Sequence, residues 1–79
     1  MFKVYSTTTC AYCQMVKKFL TLKEKAYEEV NLDENPEERS RVQALANGMT
    51  SVPVVTKIEN GEEKLVVVGW NPQIMMQAI

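Results

Sequence analysis

Phe2-Lys3-Val4-Tyr5-Ser6-Thr7-Thr8-Thr9-Cys10-Ala11-Tyr12-Cys13-Gln14-Met15-Val16-Lys17-Lys18-Phe19-Leu20 is the stretch that decides how this chain folds. Phe2 to Ser6 alternates in the manner of a strand. Ala11 to Lys23 is rich in helix formers, with Tyr12, Val16, Phe19 and Leu20 at i, i+4, i+7 and i+8 as its expected buried face. The only two cysteines of the chain, Cys10 and Cys13, fall on the junction between the two. A strand that turns straight into a helix places whatever lies at the junction on unpaired N–H groups.

Working outward, Ala26 to Leu32 reads as a second strand, with Tyr27, Val30 and Leu32 as its bulk. A helix start follows: Asn35 as N-cap, Pro36 at the first helical position and Glu38 completing a capping box. That helix carries Val42, Leu45 and Ala46 and stops at Asn47-Gly48, a C-cap signal. Val52 to Ile58 and Lys64 to Val68 are β-rich runs joined around Asn60-Gly61, a strong hairpin signal. A strict two-residue turn would oppose Glu59 to Glu62 and Lys57 to Lys64. Like charges across a pair are unfavourable, so a longer loop or a bulge is an alternative there. Asn71-Pro72 opens a last helix, Gln73 to Ile79.

The order is therefore β-α-β-α-β-β-α, an α/β arrangement. The first two strands should be parallel, because a helix connects them. The last two form an antiparallel hairpin. A four-stranded mixed sheet with helices on both faces accounts for every apolar stripe. The 79 residues leave room for one domain, 1–79, with a modest core. Met15, Met49, Met75 and Met76 are expected to fill that core, and Glu37-Glu38 and Glu62-Glu63 to be solvated faces.

Composition narrows function. Apolar residues make up 46% of the chain, and nine basic residues against ten acidic give a formal charge of −1. No basic run suggests nucleic acid or an anionic membrane; Lys17-Lys18, beside the cysteines, is the densest positive spot. No signal-peptide pattern and no apolar run near the ~20 residues of a membrane span is visible, so the chain reads as cytoplasmic. In that compartment a lone Cys-x-x-Cys is more often catalytic or metal-binding than structural.

At a helix N-terminus, Cys10 would be favoured as the thiolate, the form that attacks disulfides. Cys13, one turn on, points to the same side, can attack a mixed disulfide on Cys10, and should be more buried. A purely structural disulfide is a weak reading, since so short a loop removes little chain entropy. A metal site wants about four ligands, and this chain has no histidine and no second cysteine pair, so only a dimer could supply the rest. Ser51-Val52-Pro53 has two readings. It is a loop proline that ends a segment, or a cis peptide that turns the Val52 backbone outward to pair with an extended partner. In Gly69-Trp70-Asn71-Pro72, Trp70 is a core or a contact residue, Gly69 allows positive φ, and Asn71 is an N-cap candidate.

Val4-Tyr5-Ser6, Cys10-x-Tyr12-Cys13, Ser51-Val52-Pro53 and Gly69, in this order and spacing, resemble the glutaredoxin family of the thioredoxin fold over nearly the whole chain. The resemblance implies that Cys10 is the nucleophile and Cys13 the resolving thiol. It implies a cis Pro53 beside the sulfurs, Val52 as backbone clamp and Tyr12 flanking the active-site surface. Four departures stand out. Ala11 replaces the usual Pro, Thr7 stands where a glutathione-binding Lys is common, and Gly69-Trp70-Asn71-Pro72 replaces Gly-Gly-Cys-Asp. Ser51 replaces Thr. The aromatic after Gly69, then a polar residue and Pro, resembles NrdH-type redoxins, which are reduced by thioredoxin reductase and serve ribonucleotide reductase.

The expectation is a monomeric dithiol–disulfide oxidoreductase that reduces protein disulfides, with no cofactor beyond a redox-active Cys10–Cys13 disulfide. Its reductant would be a thioredoxin-reductase-type flavoenzyme or glutathione, with Trp70 as an apolar contact for a protein partner. A glutathione-dependent glutaredoxin and an iron–sulfur or metal module formed by a dimer are the alternatives.

Overall fold

The computed structural model describes residues 1–48 and 52–79; Met49 and Ser51, both singled out above, lie outside the described residues. The first strand, β1 (Phe2–Ser6), is central and carries apolar side chains to both faces. It pairs in parallel with β2 (Tyr27–Asn31), from Phe2 opposite Tyr27 to Ser6 opposite Asn31. On its other side it runs antiparallel to β3 (Val54–Glu59), which pairs antiparallel with β4 (Glu62–Val68). The sheet order is β2-β1-β3-β4.

Helices cover both faces. On one, α1 (Ala11–Leu22) and α3 (Pro72–Ala78) bury Val16, Leu20 and Met75 against Phe2, Val4, Val55 and Val67. On the other, α2 (Arg39–Leu45) brings Val42, with Ala46 just beyond it, against Tyr5, Leu32 and Val54. Alternation along β1 and β3 is the physical cause, since neighbouring residues of a strand face opposite sides.

The hairpin between β3 and β4 is the tight two-residue form, with Asn60 at φ 53° and Gly61 at φ 81°. Two consecutive positive φ values define the type I′ turn that Asn-Gly favours. Lys57 does face Lys64, and Glu59 faces Glu62. The repulsion is relieved along each strand, where Lys57 pairs with Glu59 at 3.2 Å and Lys64 lies 3.8 Å from Glu62. The irregularity sits farther up, where the register shifts between Val55 and Thr56 and leaves Val66 as the extra residue of β4. This bulge lets Val66 and Val67 both serve the α1/α3 face while Leu65 and Val68 serve the other.

Other expectations need correction. Tyr12 is not on the buried face of α1 but 61% exposed; Cys13, Val16 and Leu20 form that stripe. Asn35 makes no side-chain capping bond, and Pro36–Glu38 is a 3-10 turn ahead of α2. The Asn35 amide donates instead to Asn31 O, and Glu38 accepts from Arg41, so no capping box forms. Of the methionines among the described residues, Met75 is buried whereas Met15 and Met76 are exposed. Glu63 is not solvated: it accepts from Thr56 and Tyr5 and pairs with Arg41. The helix stop at Asn47-Gly48 is as read. Asn47 sits at φ 58°, and Gly48 N–H donates to Gln43 O at 2.8 Å in a Schellman arrangement.

Candidate active site at one end of the sheet

Strand register decides which segments meet. Ser6 is the last residue of β1, and the chain beyond it leads to Cys10. Tyr5 faces Val54 at the start of β3, and Val54 faces Val68 at the end of β4. The Cys10 segment, the Val52–Pro53 segment and the Gly69–Trp70 joint therefore share one end of the sheet. Asn31, opposite Ser6, adds the exit of β2 to the same end.

Cys10 is the N-cap of α1, in extended conformation at φ −125° and ψ 107°. Its Sγ accepts a hydrogen bond from Cys13 N–H at 3.1 Å. That contact supplies one of the N–H groups a helix start leaves unpaired, at the positive end of the helix dipole. Cys10 and Cys13 are joined as a disulfide, with Cα atoms 5.3 Å apart. Cys10 is half-buried while Cys13 is 1% exposed, so Cys10 is the more accessible residue of the pair. Tyr12 and Met15 present exposed apolar surface next to it on α1.

The Val52–Pro53 peptide is cis. Pro53 is buried and Val52 half-buried. Gly69 N–H donates to Pro53 O at 2.7 Å, which ties the joint after β4 to the proline. Gly69 sits at φ 86°, a conformation that L side chains rarely adopt, so a side chain there would strain the backbone. Trp70 follows and packs edge-to-face on Phe19 of α1, with ring centroids 5.8 Å apart. It is half-buried, so the indole both closes the α1/α3 core and keeps some surface. Asn71 then caps α3 by accepting from Ile74 N–H at 3.2 Å.

The electrostatic surroundings were only partly legible. Lys17, the expected positive spot, is engaged with Glu29 at 2.7 Å, and Ser6 Oγ donates to the same carboxylate oxygen at 2.9 Å. Lys17 first, then Ser6, holds the Glu29 carboxyl below its ordinary range against an opposing effect of burial. Asp33 was not singled out from the sequence. It accepts from Thr8 N–H at 2.9 Å and pairs with Arg39 at 2.8 Å. The Thr8 N–H, aided by Arg39, holds its carboxyl low. The signal for Asp33 was Asn31, whose side chain folds the loop after β2 into an Asx turn. A cleft of about 420 Å³ along α1 and β2 is lined by Met15, Lys17, Lys18 and Glu29 but by neither cysteine. Among the described residues, no three His, Cys, Asp or Glu side chains gather as a metal site. Among the same residues, no helix is long and apolar enough to cross a membrane.

A helix-capping cysteine joined to a buried partner one turn on, at the end of a four-stranded mixed sheet with helices on both faces, is the arrangement of thiol–disulfide oxidoreductases of the thioredoxin fold. The chain belongs to the glutaredoxin family, whose model matches residues 2–62. It is 44% identical over 57 residues to the glutaredoxin-like protein NrdH of Lactococcus lactis subsp. lactis, covering 72% of this chain and 76% of that one. It is 32% identical over 71 residues to a glutaredoxin-like 8.6 kDa protein of Clostridium pasteurianum, covering 90% and 87%. Among solved structures it resembles the glutaredoxin-like NrdH-redoxin of Escherichia coli in fold, with a TM-score of 0.77 at 22% identity over 99% and 93% of the two chains. The thioredoxin-like protein BC3987 aligns over 100% of both chains, at 28% identity and a TM-score of 0.78. Thiol–disulfide exchange, with reductases or glutathione on one side and disulfide targets on the other, is the chemistry of this family.

Proposed function

We propose that the protein is a monomeric cytoplasmic dithiol carrier, one domain over residues 1–79, that reduces protein disulfides. Reduced Cys10, as thiolate, attacks one sulfur of the target disulfide, and the other target sulfur leaves as a thiol after taking a proton. Cys13 then loses its proton and attacks Cys10 Sγ, which releases the second target thiol and leaves the Cys10–Cys13 disulfide. Two electrons have passed to the target, and a reductase returns two to the carrier. The observation that carries this reading is the half-buried Cys10, whose Sγ accepts from the N–H of a buried Cys13. Val52 would offer its backbone to the extended target chain, with Pro53, Tyr12 and Trp70 forming the walls.

The reductant we propose is a thioredoxin-reductase-type flavoenzyme, and the target a disulfide such as that of ribonucleotide reductase. Glutathione carries two carboxylates that want cationic or N–H donors. Thr7 brings no charge, and Asn71 is occupied capping α3. The test is NADPH oxidation coupled through thioredoxin reductase or through glutathione and its reductase. Turnover is expected in the first system, abolished by Cys10→Ser. Cys13→Ser should accumulate a mixed disulfide on Cys10. Turnover confined to the glutathione system would make the protein a glutathione-dependent glutaredoxin.

A further inference from the structure

Only Thr7, Thr8 and Thr9 connect the last residue of β1 to the capping Cys10. The loop leaving β2 grips this connection. Leu32 N–H donates to Ser6 O at 2.7 Å and prolongs the β1–β2 pairing past the strand ends. Asn31 Oδ1 accepts from the N–H groups of Asp33 at 2.8 Å and Glu34 at 3.3 Å, which fixes where the Asp33 side chain starts. From there Asp33 Oδ2 accepts from Thr8 N–H at 2.9 Å. Its other oxygen, Oδ1, accepts from Arg39 Nη2 at 2.8 Å. Arg39 is the first residue of α2, a helix anchored in the core by Val42.

We infer that Asp33 is a positioning residue for Cys10, a carboxylate brace between α2 and the Thr8 peptide that holds the cysteine in its N-cap geometry. The inference rests on the reading of Cys10 as the attacking thiolate. The physical reason lies in the cap. Stabilisation of a sulfur anion by Cys13 N–H needs Cys10 in extended conformation, and a three-residue link without a brace has many other conformations to visit. A carboxylate acting through charge alone would do the reverse, since a nearby anion disfavours a thiolate. Arg39 offsets that charge at 2.8 Å, so the brace holds the loop with little electrostatic cost to the sulfur. Removing the brace and removing the charge therefore push the thiol in opposite directions.

The experiment follows the pH profile of iodoacetamide alkylation at Cys10 in the reduced protein, resolved by mass spectrometry, for wild type, Asp33→Ala, Asp33→Asn and Arg39→Ala. Asp33 and Arg39 are both exposed, so the fold should survive, and circular dichroism checks it. In Asp33→Ala the profile should move to higher pH, with alkylation at pH 6 slowed by about threefold to tenfold. Asp33→Asn keeps an acceptor oxygen for Thr8 N–H and should stay within about twofold of wild type. Arg39→Ala should shift in the direction of Asp33→Ala, by less. An unchanged or lowered profile in Asp33→Ala, or equal shifts in the Ala and Asn variants, would overturn the inference. Cys10→Ser in the coupled assay keeps the two readings apart. If that variant still turns over, the assignment of Cys10 fails, whereas a dead Cys10→Ser beside an unshifted Asp33→Ala removes the brace alone.

Discussion

Tyr5 is buried in the middle of the sheet, so its phenol must find partners inside the protein. It donates to Glu63 and accepts from Arg41 at 2.7 Å, while Thr56 Oγ1 donates to Glu63 at 2.6 Å and Arg41 also reaches Glu38. The buried side-chain polar atoms among the described residues all have a hydrogen-bond partner. Tyr5→Phe leaves Glu63 with Thr56 and Arg41, and should cost about 1 kcal/mol in urea unfolding. Glu63→Leu leaves the hydroxyl hydrogens of Tyr5 and Thr56 without their acceptor and should cost about 2 kcal/mol or more. Equal costs for the two variants would mean that the network does not act as described. None of this was legible from Glu62-Glu63, because adjacent strand residues face opposite sides and the pairing of two glutamates says nothing about which one turns inward.

At the scale of elements, the hairpin turn and the caps carry their own signals. Asn60-Gly61 adopts the turn its residue types favour even though like charges face each other across it. A methyl group added at Gly61, which sits at φ 81°, would meet no atom within 4 Å, so the cost of Gly61→Ala is backbone strain alone, about 1 kcal/mol. Thiol exchange should be unchanged in that variant, since the turn lies at the end of β3 opposite Pro53; a fall in exchange rate would contradict this separation. Asn71→Ala removes the cap of α3 and should cost about 1 kcal/mol, read from the urea midpoint. The Asn35 box failed for a reason of the same scale. The backbone there closes a 3-10 turn, and the Asn35 amide is drawn to Asn31 O.

For the molecule as a whole, the titrating groups set a pH window of stability. Glu29 is held low chiefly by Lys17, Asp33 chiefly by Thr8 N–H, and Glu63 is held low by Thr56, Tyr5 and Arg41 against burial, the largest single effect on it. A carboxyl lowered in the folded state contributes stability above its unfolded value of about 4 and loses it as pH falls through the folded value. Tyr5 is raised, first by burial and then by Glu63, so the unfolded chain gives up that proton first above about pH 10 and stability falls there. The urea midpoint should be flat between about pH 6 and 9, fall below pH 4, and fall again above pH 10. A midpoint that holds at pH 3 would refute the carboxylate part of this account. The order of elements, Cys10 at the start of a helix with Cys13 one turn on, the Asn-Gly hairpin and the Asn47-Gly48 stop are legible in the sequence alone. All of these are local, set by propensity, side-chain period and φ preference within a few residues. That Tyr12 faces outward, that Glu63 faces inward, that Val66 is a bulge and that Asp33 reaches Thr8 follow from the packed fold. Those depend on strand register and on partners 7 to 58 residues apart, with Thr8 and Asp33 separated by 25. Contacts of this kind are made across strands and between elements, so the side-chain period of a single element does not contain them.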